Sequence, residues 1–175
     1  HEVAQGYKDV KERSATAKFA VKGQENTYFL AWTTTPWTLP SNVALCVNPD
    51  ETYVKVKVED SYYILAEALV SANFGDTETE IVETYKGADL ERMEYVGLYE
   101  QDNLDKKAYY VTCDNYVTLT DGTGIVHIAP AFGEDDANVG RKYNLPFVKL
   151  VDDRGNMSEC TDILAGKFVK PLYFL

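Results

Sequence analysis

The chain has 175 residues, 45% of them hydrophobic and 13% aromatic, which suits one globular domain with a sizeable core. No apolar run reaches the length of a membrane span. Its 28 acids against 17 basic residues leave a net charge of −11, which argues against a stand-alone, high-affinity nucleic-acid binder.

The chain opens with His1-Glu2 rather than Met and has no basic-plus-apolar leader, so an excised fragment is expected. Period-two alternation is frequent. Lys18-Phe19-Ala20-Val21-Lys22 alternates, and a second strand is expected over 27–33, followed by 43–47. Tyr53-Val54-Lys55-Val56-Lys57-Val58 puts the valines on one face and Tyr53 with the lysines on the other. Further strands are expected at 61–65, 79–85, 108–112, 116–120, 124–129 and 146–151. Helix propensity favours Ala66 to Ala72. Glu134 to Tyr143 reads as a helix entered at Gly133, with acids in its first turn. Asp121-Gly122 between two β-rich runs signals a tight turn. The acidic 86–107 stretch is expected to be an irregular excursion. The pattern is that of a strand-rich α+β domain, its sheet folded towards a barrel, with a few short helices.

Cys46, Cys113 and Cys160 are far apart and form no CxxC pair, so no structural zinc is expected; Cys46 and Cys113, in apolar or strand-like surroundings, read as buried free thiols in a reducing compartment.

Two runs carry the chemistry. In Thr33-Thr34-Thr35-Pro36-Trp37-Thr38-Leu39-Pro40-Ser41-Asn42, hydroxyls, an indole and a carboxamide crowd between two prolines that stiffen the peptide. On a strand, Thr33 and Thr35 share a face and Thr34 points the other way, unless Pro36 breaks the pleat. Trp37 reads either as a core aromatic or as a pocket wall, and Thr38 and Ser41 also suit turn caps. The second run is Gly122-Thr123-Gly124-Ile125-Val126-His127-Ile128-Ala129-Pro130-Ala131-Phe132-Gly133-Glu134-Asp135-Asp136. Mid-strand, His127 faces away from Val126 and Ile128. With no paired acid it signals poorly as a general base and suits a hydrogen-bonded structural role. Asp136, in a first helical turn, either complements the helix dipole or holds a ligand cation.

Together the two runs resemble the editing domain of the class I aminoacyl-tRNA synthetases for branched aliphatic amino acids. Within them, Thr35 with His127 points to the isoleucyl branch rather than the valyl or leucyl ones. The resemblance is strong over 29–48 and 119–143. It implies a closed or nearly closed β-barrel with peripheral helices, one editing domain over 1–175 of a larger synthetase, and hydrolysis of valine misattached to tRNA(Ile), with valyl-adenylate as a second substrate. It implies catalytic roles for Thr33, Thr34 and Asp136, the last holding the amino group, with Asp135 one register away. Thr35, Trp37, Thr38, Asn42 and His127 would bind substrate. The expected partners are the acceptor end of tRNA(Ile) and the valine moiety, for a monomer in the cytoplasm with no membrane contact and no cofactor.

No serine or cysteine lies in a nucleophile motif and no metal-ligand spacing occurs, so direct attack by water on an activated ester is expected. HIGH-like and KMSKS-like activation signatures are absent from the sequence, so no ligase activity is expected of the chain itself. Between 76 and 105 ten acids face only Lys86 and Arg92, a surface that should repel RNA. Basic residues gather later, at Arg141, Lys142, Lys149, Arg154, Lys167 and Lys170, and tRNA contact is expected there. A module that grips the acceptor end without catalysis is the competing reading from another class.

Overall fold

The computed structural model describes residues 14–99 and 104–148. Eight strands occur there: β1 (Ala15–Ala20), β2 (Thr27–Thr33), β3 (Ala44–Val47), β4 (Thr52–Val58), β5 (Ser61–Ala66), β6 (Glu80–Lys86), β7 (Tyr110–Cys113) and β8 (Ile125–Ile128). The helices are short: α1 (Val70–Phe74), α2 (Gly87–Leu90) and α3 (Glu134–Tyr143), with 3-10 turns at Pro36–Ser41 and Glu67–Leu69.

The sheet forks at β2. Its first half pairs in parallel with β5, which continues through β4 to the edge strand β6. Its far end pairs in parallel with β8 at Trp32 and Val126, which continues antiparallel to β3 and then parallel to β7. On its other side β2 carries β1 along the whole length of both strands. Two isolated bridges, Val21 to Tyr95 and Glu94 to Tyr110, join the end of β1 to the start of β7. The run β2–β8–β3–β7–Glu94/Tyr95–β1 therefore returns on itself and curls the sheet into a barrel. Closure leaves no free edge along that circuit.

Alternation explains what fills it. In β1, Ala15, Ala17 and Phe19 point inward while Thr16, Lys18 and Ala20 are half-buried. The interior joins Phe19, Phe29, Ala31, Leu45, Val47, Tyr53, Ile64, Val111 and Ile125. A second apolar layer, with Val43, Ala44, Tyr110, Ile128 and Val139, packs α3 against the outside of β3, β7 and β8. A third, around Leu30, Val54, Val56 and Leu65, takes Val70 and Phe74 of α1 as its cover. β3 and β7 are thus buried on both faces, which is why β3 is wholly apolar.

One expected strand is absent, and the described part of another is not in a ladder. Residues 116–120 form turns and bends, because Asp114 Oδ1 accepts the Tyr116 N–H and Thr118 and Thr120 bond to each other, so no ladder forms. Residues 146–148 join no strand, following the left-handed cap at Asn144 and Pro146. The rest of that candidate, Cys160 and the basic residues from Lys149 onward lie outside the described residues. The acidic stretch holds α2 and the closing bridges, so it is a structural seam rather than only an excursion. Cys46 and Cys113 are buried free thiols.

Candidate functional site

The threonine run leaves β2 at Thr33. Pro36 cannot extend the ladder, and the chain winds into the 3-10 turn Pro36–Ser41. This turn folds the hydroxyls onto one another. The Thr35 N–H donates to Thr33 Oγ1 (3.0 Å), and the Thr33 and Thr35 hydroxyls lie 3.3 Å apart. Thr35 Oγ1 meets Thr38 Oγ1 at 3.1 Å, and the Thr38 hydroxyl donates to the Thr35 carbonyl at 2.8 Å. Thr38 Oγ1 also meets His127 Nε2 at 2.8 Å.

His127 is 6% exposed, in the middle of β8. Its other nitrogen, Nδ1, faces Asn42 Nδ2 at 3.4 Å. Asn42 Nδ2 donates to the Ala44 carbonyl at 2.8 Å, and Asn42 Oδ1 receives the Tyr95 hydroxyl. These partners assign the tautomer from both ends. An amide N–H faces Nδ1, so Nδ1 is bare. The single Thr38 proton is committed to a carbonyl, so Nε2 carries the hydrogen and donates to Thr38. Burial holds the imidazole pKa down to about 4, so the ring is neutral at neutral pH.

A hydrogen-bonded chain thus runs Thr33–Thr35–Thr38–His127–Asn42–Tyr95. Thr33, Thr38, Asn42 and His127 are buried with their polar atoms engaged internally. Thr35 is half-buried and Thr34 exposed. Trp37 is 39% exposed, which removes the core-aromatic reading. The sequence signal found the threonines, Asn42 and His127. It missed Tyr95, which lies in the acidic stretch with no motif around it.

Asp136 sits in the first turn of α3, where Glu134 and Asp135 also complement the dipole. The two aspartates differ sharply. Asp135 is exposed, whereas Asp136 is half-buried and its Oδ2 accepts the Ala129 N–H at 2.9 Å. This bond ties the helix start to the end of β8, two residues beyond His127. Among the described residues no hydrogen bond joins Asp136 to the threonine run, and Oδ1 has no protein donor. Burial pushes the Asp136 carboxyl above its usual range, the Ala129 N–H pulls it down, and Asp135 raises it further.

A cavity of about 230 Å³ is walled by Trp32, Tyr116, Thr118, Thr120, Asp121 and Val126, among others, with no residue of the 33–42 run in its lining. Trp32 and Val126 are strand neighbours of Thr33 and His127, so the cavity lies on the opposite face of the β2–β8 pair from those two side chains. Gly122, at φ +73°, lets the indole pack against backbone: a Cβ there would stand 2.6 Å from Trp32 Cδ2. The Tyr116 hydroxyl is buried without a protein partner among the described residues.

Comparison with known proteins decides the family. The chain is 55% identical over 170 residues to the isoleucine–tRNA ligase of Clostridium acetobutylicum, a match over 97% of the chain. It is 54% identical to that of Clostridium novyi and 48% identical to that of Bacillus thuringiensis, over the same length. The fold matches the CP1 domain of GlLeuRS (TM-score 0.60, 18% identity, 75% of this chain and 65% of that one). It also matches the editing domain of the cytosolic leucyl-tRNA synthetase of P. falciparum (TM-score 0.57, 13% identity, 75% and 67% covered). The chain belongs with the isoleucyl-tRNA synthetases. It spans 16% of the length of the isoleucine–tRNA ligases it matches. No family model matches the chain. The isoleucyl assignment rests on these sequence relatives, and the leucyl structures support the fold. No helix among the described residues is long and apolar enough to cross a membrane.

Proposed function

We propose that this site hydrolyses the ester of valine misattached to tRNA(Ile), within a cytoplasmic synthetase. The observation that carries the reading is Asp136, a half-buried carboxylate with one oxygen held by Ala129 N–H and the other open. Such a group suits an α-ammonium, whose charge would offset the desolvation that raises the carboxyl pKa. Thr34 and Thr35, the accessible hydroxyls of the run, then face the ester and its attacking water.

Water oxygen bonds to the ester carbon, the bond to the ribose oxygen breaks, and that oxygen leaves with one of the water's protons while the other passes to solvent. Valine is released as the carboxylate. His127 takes no proton in this scheme, because Nε2 already carries one, Nδ1 faces an amide donor, and the ring resists charging. Its part is to hold Thr38 and, through it, Thr35. Rate then comes from placing a water against an already labile ester.

The logic of a second sieve supports the substrate. One methylene in an apolar pocket is worth roughly 1–3 kcal/mol, about 10–200-fold, a figure for which isoleucine against valine in this enzyme family is itself the standard case. A pocket at Asp136 that admitted valine and excluded isoleucine would supply the remainder. Asp136→Ala tests the reading. Loss of a charge-assisted contact should lower hydrolysis of the valyl ester by about 10- to 100-fold. An unchanged rate would clear Asp136 of the ammonium role.

A further inference from the structure

We propose that Tyr95 is a positioning residue for the site: through Asn42 it fixes the tautomer and setting of His127, and through His127 the Thr38–Thr35–Thr33 hydroxyls. Its importance to hydrolysis rests on the reading of the site given above; the wiring itself does not.

Tyr95 is placed by the closure of the barrel. Its backbone bridges Val21 and its N–H donates to the Tyr109 carbonyl at 3.0 Å, so it belongs to the seam between β1 and β7. Its ring is 2% exposed and meets Phe19 edge-on at 5.2 Å and Tyr109 edge-on at 6.1 Å. Those contacts aim the hydroxyl across the interior at Asn42 Oδ1. Burial keeps that hydroxyl protonated far above its ordinary pKa, so it is a permanent donor.

A permanent donor on Oδ1 decides which way the Asn42 amide points. With Oδ1 committed to Tyr95, Nδ2 serves the Ala44 carbonyl and His127 Nδ1. Nδ1 stays bare and the hydrogen sits on Nε2, aimed at Thr38 Oγ1. Without the tyrosine hydroxyl, Oδ1 is a buried acceptor with no donor. The nearest remedy is an imidazole carrying its hydrogen on Nδ1, facing a turned amide. That tautomer takes the donor away from Thr38 and frees the hydroxyl chain. The Ala44 carbonyl and the Thr38 hydroxyl, whose proton goes to the Thr35 carbonyl, still favour the original arrangement, so a mixture follows.

The chain contains two histidines, His1 and His127, so imidazole ¹⁵N spectra of the full 175-residue protein are readily assigned. The parent should show His127 hydrogenated on Nε2 alone. Tyr95→Phe keeps both ring contacts and should show a second population hydrogenated on Nδ1. If the chain hydrolyses valyl-tRNA, the variant's kcat should fall about tenfold with KM nearly unchanged. An Nε2-only spectrum in the variant overturns the proposal whatever its stability, and so does a shifted spectrum with unchanged kcat in an active chain. Should the parent lack hydrolysis, the reading of the site fails and the spectrum alone decides the role of Tyr95. If Tyr95→Phe does not fold, Asn42→Asp substitutes. One carboxylate oxygen still receives Tyr95 and the other faces Nδ1, so His127 should turn to Nδ1–H; persistence of Nε2–H overturns the relay.

Discussion

His127 offers no charge at neutral pH, because burial in β8 drives its pKa to about 4. Unfolding returns the ring to water and to a value near 6.5. Below that pH the unfolded chain takes up a proton that the native chain refuses until about pH 4. Stability therefore falls as pH drops through this window, by up to about 3 kcal/mol. Asp136 works in the other direction. Its raised carboxyl protonates in the native state before the unfolded one, so acidification through that range favours the native state. His127→Gln separates the two. Unfolding free energies measured by denaturant at about pH 7 and about pH 4.5 should show an acid-induced drop smaller by about 2 kcal/mol in the variant. Equal drops in parent and variant would mean that the imidazole is not desolvated as described.

At the scale of elements, α3 carries Asp136 at one end and is fastened at the other by Tyr143. The Tyr143 hydroxyl accepts the Cys113 N–H at 2.9 Å and donates to Glu91 Oε2 at 2.5 Å. Arg92 lies 5.2 Å from the ring centroids of both Tyr110 and Tyr143 and holds a left-handed φ of +74°. Lys142 adds a bond to the Cys113 carbonyl at 2.9 Å. Tyr143→Phe keeps the ring contacts and leaves a β7 amide unpaired. It should lower stability by about 1–2 kcal/mol with an unchanged denaturant slope. No change in the denaturation midpoint would contradict that fastening. Elements with a single dominant pattern were legible beforehand: alternation placed β1, β2 and β4, and Gly133 followed by acids placed α3. The absent strand at 116–120 shows the limit. Its β-branched residues suit a ladder, yet Asp114 and the threonines satisfy their hydrogen bonds locally. Nothing local could have shown that Tyr95 reaches Asn42, because that contact spans 53 positions and depends on barrel closure.

At the scale of the whole molecule, closure of the barrel joins seam to site. Bridges at Val21–Tyr95 and Glu94–Tyr110 set Tyr95, whose hydroxyl donates to Asn42; Asn42 in turn faces His127, so the two motifs meet there. The motifs were readable as a pair by resemblance, whereas the division between accessible Thr34, Thr35 and Asp136 and the buried support behind them emerges only from the fold. A charge of −11 argues against a strong grip on RNA by this chain alone, so the proposed function places discrimination in the pocket rather than in contacts to the tRNA body. The most direct test is deacylation by the 175-residue chain of tRNA(Ile) carrying valine and of the same tRNA carrying isoleucine, side by side. The account predicts hydrolysis of the valyl ester at least about tenfold faster than the isoleucyl one. Equal rates on the two esters, or none on either, would contradict it.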